Sequence, residues 1–129
     1  MIITRTPYRI PLAGGGTDLD FYYKKRGGLF ISATFNQFVF AIILRRQIDD
    51  KVLIQTTDTQ FARSTNQVKH GIIREILKFF KIKNKIQVGT FATLPTSSGL
   101  GSSSSLIVGI IFGLSKMLRI KLSKKKIAK

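Results

Sequence analysis

The chain has 129 residues, 43% of them hydrophobic, enough for one core and one domain spanning 1–129. With no cysteine and a single histidine, His70, it excludes a disulfide framework, a thiolate metal site and a zinc site built on that histidine alone. Lys and Arg number 22 against 6 acidic residues, and the resulting formal charge of +16 attracts polyanions without specifying one.

The N-terminus lacks the basic-then-apolar order of a secretory signal, and no apolar run approaches the roughly 20 residues of a membrane span. A cytoplasmic protein with no membrane partner is expected. Ile2–Thr6 reads as a strand interrupted by Pro7, with Arg9–Leu12 continuing extended. Gly14-Gly15-Gly16-Thr17-Asp18 then lies between apolar segments, so the backbone is expected to bend there to admit a ligand. Asp18 suits either a ligand hydroxyl or the cap of the next turn. After the turn at Gly27-Gly28, Leu29–Phe35 and Phe38–Arg45 read as two strands separated by Asn36-Gln37. Lys51–Thr57 is a third strand, and the polar Asp58–Asn66 a loop. Val68, Ile72, Ile73, Ile76, Leu77 and Phe80 keep helical spacing and predict a helix over Gln67–Lys81. His70 within it reads as a surface or helix-face residue.

Ile86–Thr93 reads as a strand that leads into Leu94-Pro95-Thr96-Ser97-Ser98-Gly99-Leu100-Gly101-Ser102-Ser103-Ser104-Ser105. Beyond it, Leu106, Ile107, Ile110, Ile111, Leu114 and Leu118 recur at helical spacing. Glycines permit a tight turn into that helix. The serines fall on its first turn, where unpaired N–H groups and the positive end of the dipole favour an anion. Their hydroxyls add donors to phosphate and oxygen ligands for a hard cation such as magnesium. Neither the Walker pattern nor the dinucleotide fingerprint is present, and a Gly/Ser linker would not run straight into an apolar helix. Leu122-Ser123-Lys124 reads as a fresh helix start. Several strands, a helix, a strand and a helix argue an α+β sandwich with its helices on one face.

Two segments resemble the GHMP small-molecule kinases, which include galactokinase, homoserine kinase and mevalonate kinase. Leu94–Ser105 is similar to their second motif, Pro-x-x-x-Gly-Leu-Gly-Ser-Ser-Ala, with Ser104 in place of the alanine. Pro7-Tyr8-Arg9-Ile10-Pro11-Leu12-Ala13-Gly14-Gly15-Gly16-Thr17-Asp18 resembles the first motif. Its Gly-Gly-Gly-Thr-Asp form is typical of the branch acting on D-glycero-D-manno-heptose 7-phosphate and related sugars. The resemblance implies ATP-dependent transfer of the γ-phosphate to a sugar hydroxyl, the anomeric one of heptose 7-phosphate or a related sugar, with ATP and Mg2+ as cofactors. It implies a ribosomal-protein-like α/β sandwich as the fold. Pro95, Ser98, Gly99, Leu100, Gly101, Ser102, Ser103, Ser104 and Ser105 would bind ATP, with Ser103 on the metal. Arg9, Gly15, Gly16, Thr17 and Asp18 would bind the sugar, Arg9 also matching the arginine near the transferred phosphate.

The resemblance covers the front portion of the family only. The aspartate serving as general base, the acidic metal ligand and the ferredoxin-like C-terminal domain lie beyond the second motif, so this chain alone is expected to be inactive. The alternatives are a basic RNA-binding module, with nucleic acid the less favoured partner, and one half of a split kinase whose C-terminal half is separately encoded.

Overall fold

The computed structural model describes residues 1–17, 19–95 and 101–123. Its spine is a five-stranded sheet built from β1 (Ile2–Ala13), β2 (Ile31–Arg45), β3 (Val52–Gln55), β4 (Thr59–Ala62) and β5 (Ile86–Ala92) in the order β1-β2-β5-β3-β4. All neighbours are antiparallel except β3 and β5, which run parallel. Three α-helices, α1 (Asp20–Arg26), α2 (Gly71–Phe79) and α3 (Ser102–Met117), and one turn of 3-10 helix at Thr65–Gln67 complete the described chain. None is long and apolar enough to cross a membrane. The α+β class and the gathering of the two core helices on one face are as the order of elements implies.

Alternation along the strands creates the core. Ala41 and Ile43 of β2, Val52 and Ile54 of β3, and Ile86 and Val88 of β5 turn toward the helices and are buried. They meet Ile73, Ile76 and Leu77 of α2 and Ile110 and Leu114 of α3 in one cluster. The register places Ile3, Ile42, Phe40, Phe91, Leu53 and Phe61 on the opposite face, where Ile3, Phe91 and Phe61 are more than half exposed.

Several expectations need correction. The two strands expected either side of Asn36-Gln37 are one, β2. Opposite Tyr8 the register shifts from Pro7↔Phe38 to Arg9↔Thr34, so Phe35, Asn36 and Gln37 face a single residue of β1. The polar pair marks a bulge, not a turn. Pro7 does not interrupt β1 either, because β1 is the sheet edge and a missing N–H is tolerated there. The segment expected to loop at 58–66 contains β4, an edge strand of which only Ala62 is buried. The helix expected over Gln67–Lys81 is confined to Gly71–Phe79. Gln60 and Gln67 hold the preceding stretch out of helix through side-chain bonds: Gln60 Nε2 donates to the Gln67 carbonyl, Arg63 N–H to Gln67 Oε1, and Lys69 N–H to Gln60 Oε1. The fresh helix expected at Leu122-Ser123-Lys124 runs into residues outside those described.

One ion pair fixes the β2–β3 connection. Arg46 Nε and Nη2 each donate to Asp49 at 2.7 Å, and the Lys51 amide adds a bond to Oδ1 at 3.0 Å. The guanidinium, then the backbone amide, lower the Asp49 pKa from 3.8 to about 2. A carboxylate whose folded pKa is depressed adds stability above its unfolded pKa, and that stability is lost as pH falls through the folded value. The urea midpoint is therefore expected to drop between about pH 4 and pH 2. Asp49→Asn should have a lower midpoint at neutral pH and a shallower drop across that window. Parallel pH profiles for the two proteins would remove the ion pair as the cause.

Candidate active site

The first wall of the site is where β5 ends. Thr93 locks this exit: its N–H donates to the Phe38 carbonyl at 3.1 Å, while its hydroxyl accepts from the Phe38 amide at 3.0 Å. On the far side Gly101 takes the left-handed conformation (φ +73°) and starts α3. Among the described residues no side chain caps that helix, and the first amide to find an intrahelical partner is that of Ser105, donating to the Gly101 carbonyl at 2.9 Å. Among the described residues the amides of the preceding turn have no partner within the helix, the position at which a helix N-terminus can receive an anion. Between these two ends lies a cleft of about 950 Å³, lined among others by Thr56, Thr57, His70, Pro95, Ser102 and Ser103.

Ser102 is half-buried and Ser103 exposed, both on the cleft, whereas Ser104 is exposed and outside its lining. Ser105 is different. It is buried, its hydroxyl donates to the Pro7 carbonyl at 3.0 Å, and its amide is bonded to Gly101. What Ser105 does here is tie α3 to β1. Ser98, Gly99 and Leu100 lie outside the described residues.

The glycine turn of the first motif packs against Gly27–Phe30 at backbone range. A Cβ at Gly14 would lie 1.8 Å from the Leu29 carbonyl oxygen, and one at Gly28 2.4 Å from the Thr17 carbonyl oxygen. The Thr17 hydroxyl sits between the Gly14 and Leu29 carbonyls, at 2.7 and 2.8 Å, and holds the two segments together. A second pocket of about 500 Å³ opens there, lined by Thr17, Tyr23, Gly27, Gly28, Leu29 and Phe30. A Cβ on Gly15 or Gly16 would meet nothing within 4 Å, and Asp18 lies outside the described residues. Asp20 is engaged: Lys24, then the Tyr23 hydroxyl, hold its carboxyl below the ordinary range, and Asp20 in return raises the Tyr23 hydroxyl.

Arg9 lines neither pocket but lies between a residue of each. A Cβ on Gly101 would touch its Cγ and Nε at 3.3 Å, and its guanidinium lies 4.9 Å from the centre of the Phe30 ring. Gly101 lines the large cleft and Phe30 the small one. A cation at this junction, beside an uncapped helix N-terminus, suits a phosphate passing from one pocket to the other. No carboxylate lines the large cleft among the described residues, and none of their His, Asp and Glu side chains group to hold a metal.

Sequence reasoning did not find Thr56, Thr57 or His70. The two threonines sit on the β3–β4 turn, where the apolar pattern predicts the end of a strand over Lys51–Thr57. His70 is the N-cap of α2, its Nδ1 accepting from the Ile73 amide at 3.4 Å. A histidine directly before an apolar helical repeat is a weak cap signal, since Ser, Thr, Asp and Asn dominate that position.

Residues 66–129 match the family described as GHMP kinases N terminal domain. The chain is 32% identical over 140 aligned residues to D-glycero-alpha-D-manno-heptose 7-phosphate kinase of Campylobacter jejuni, covering 99% of this chain and 41% of that protein. Its backbone matches the crystal structure of a D-glycero-D-manno-heptose 1-phosphate kinase from Bacteroides thetaiotaomicron with a TM-score of 0.86 at 23% identity, over 99% of this chain and 45% of that one. At that identity the likeness speaks to the fold. A solved Campylobacter jejuni chain matches with a TM-score of 0.77 at 31% identity, over 98% of this chain and 42% of its own. The chain thus spans about two-fifths of the length of these relatives.

Proposed function

We propose, from the premise that this chain belongs to the GHMP kinase family, that it supplies the ATP-binding domain of a sugar kinase acting on a heptose phosphate. The observation that carries this reading is the placement of Arg9, packed over Gly101 on one side and stacked on Phe30 on the other. On this reading residues 1–129 form the N-terminal domain. The large cleft takes the nucleotide, with Pro95 at its entry and the amides and hydroxyls of Ser102 and Ser103 toward the phosphates. The small pocket beside Gly15, Gly16 and Thr17 takes the sugar, with Asp18 as the residue assigned to its hydroxyls. Ser98, Gly99, Leu100 and Ser104 keep their motif-based assignment to the phosphates.

Phosphoryl transfer needs little covalent chemistry from the protein: it needs alignment and neutralisation of the charge on the phosphate oxygens. Arg9 can do both, because it stands between the donor and acceptor pockets. Magnesium, when bound, would add further neutralisation, with Ser103 as its protein ligand. The heptose 7-phosphate assignment rests on the Gly-Gly-Gly-Thr-Asp motif and the Campylobacter jejuni relative. The RNA-binding alternative is not favoured, since the relatives matched are kinases. A cytoplasmic location, where ATP is supplied, belongs to the same proposal.

The test is calorimetric titration of the chain with MgATP and, separately, with adenosine. ATP is expected to bind in the micromolar to millimolar range common for enzyme substrates, and about tenfold or more tighter than adenosine. Losing one charge-assisted hydrogen bond costs about 1.5–3 kcal/mol, so Arg9→Met or Ser103→Ala should weaken ATP by about tenfold and leave adenosine alone. Equal affinity for ATP and adenosine would overturn the phosphate assignment.

A further inference from the structure

We propose that Tyr8 is a positioning residue for the phosphate cradle: with its neighbours Pro7 and Arg9 it grips both ends of the segment that joins β5 to α3. This rests on the nucleotide reading above and extends it to a residue outside the cleft's lining.

The grip has three contacts from three consecutive residues. The Tyr8 hydroxyl donates to the Leu94 carbonyl, a long bond of 3.4 Å spanning 86 positions of sequence, at the entry to the segment. The Pro7 carbonyl accepts from Ser105 Oγ at 3.0 Å, across 98 positions, at the exit. Arg9 lays its stem against Gly101, the residue that turns the chain into α3. Consecutive side chains of a regular strand point to opposite faces. Here Tyr8 and Arg9 both reach the same segment, at the point where the β1–β2 register shifts. The bulge itself lies in β2, where three residues face Tyr8, so the regular ladder that would hold Tyr8 and Arg9 to strict alternation is interrupted at this point.

Tyr8 is fully buried, with its ring 6.3 Å from Phe35, so core filling is the competing role. Its hydroxyl separates the two. A buried ring fills space equally well as phenylalanine, whereas the bond to Leu94 needs the oxygen. The Leu94 carbonyl lies directly before Pro95 on the nucleotide cleft, and the bond fixes where that wall starts.

The experiment compares Tyr8→Phe and Ser105→Ala with the unaltered chain in three readouts: ATP affinity against adenosine affinity, melting temperature, and hydrogen exchange of the Thr93 amide. That amide makes the last sheet bond before the segment. Both variants are expected to lose about fivefold in ATP affinity with adenosine unchanged, and Ser105→Thr, which keeps the hydroxyl, should recover most of the loss. Tyr8→Phe should also speed exchange at Thr93 severalfold. A Tyr8→Phe protein that melts lower yet binds ATP as before would overturn the proposal. If the unaltered chain fails to prefer ATP over adenosine, the nucleotide reading fails instead. Exchange at Thr93 then decides the grip alone: acceleration by Tyr8→Phe upholds it, and an unchanged rate overturns it.

Discussion

Alanine at position 14 is expected to separate the glycine turn from Gly27–Phe30 and to free α1, while alanine at position 15 leaves both in place. The two sites are neighbours in sequence and opposites in environment. At Gly14 the new methyl would sit 1.8 Å from the Leu29 carbonyl oxygen with φ at +85°. Backbone atoms on both sides of that overlap cannot turn away as a side chain can, so the contact must open. The strained dihedral alone costs about 1–2 kcal/mol and the overlap adds more, for a local loss of about 3 kcal/mol or more. At Gly15 nothing lies within 4 Å and φ is ordinary, so the change should stay within about 0.5 kcal/mol. None of the α1 residues is buried, and its close contact with this region is Tyr23, whose Cβ would lie 3.2 Å from a Cβ on Gly28. Trypsin cleavage after Lys24, Lys25 and Arg26, followed by mass spectrometry, reads the difference. Gly14→Ala should be cut there at least tenfold faster than the unaltered chain, with Gly15→Ala matching the latter. Equal rates in all three proteins would show that the close approach at Leu29 does not hold α1.

Valine at position 109 should produce the largest global loss. Ser105, Gly109 and Gly113 fall at four-residue spacing on the side of α3 that lies against β1. A Cβ at 109 would meet Thr6 Oγ1 at 2.8 Å and Thr4 Oγ1 at 3.2 Å; one at 113 would meet Ile43 Cδ1 at 2.6 Å and Thr4 Cγ2 at 3.0 Å. Thr4 is buried and donates to the Ala41 carbonyl, so it cannot swing aside without losing that bond. Valine brings two further methyls, and α3 must lift from the sheet. Overpacking of this kind costs about 1–3 kcal/mol. The lift also opens the contacts of Ile110 and Leu114, which brings the expected loss to the top of that range. Gly109→Ala sets about 1 kcal/mol of gained helix propensity against one methyl's overlap and should change stability little. Urea unfolding of the pair checks both. An unchanged midpoint for Gly109→Val would mean that α3 does not rest on β1 as closely as described.

The elements readable in the sequence are those whose side chains face the core. The apolar repeats of α2 and α3 and the β-branched runs of β3 and β5 state their own burial, so their type and place follow from periodicity. What stayed hidden is held by something other than burial. Helix α1 has Asp20 in its first turn and Lys24, Lys25 and Arg26 in its last, a dipole pattern without an apolar face. Strand β4 lies at the sheet edge with Phe61 exposed, so its alternation carries little apolar signal. Asn36-Gln37 predicts a division that β2 does not have, because a bulge and a turn share polar residues. At the site, the glycines and serines were legible as an anion cradle from residue type alone. The meeting of Arg9 with Gly101 was not, because periodicity carries no information across 92 positions; only the joint resemblance of the two motifs put them together. Tyr8 left no signal at all, being one aromatic residue in an apolar strand.

The joining of the first strand to the last described helix has a consequence for how the protein is made. Translation proceeds at about 5–20 residues per second, so Pro7 waits about 5–20 seconds for Ser105, 98 positions later, to be synthesised. Throughout that interval the side of β1 meant for α3 has no cover, and pairings this distant in sequence are slow to form. The cleft between β5 and α3 therefore cannot take shape until α3 has followed β1 out of the ribosome, however early the strands themselves are made.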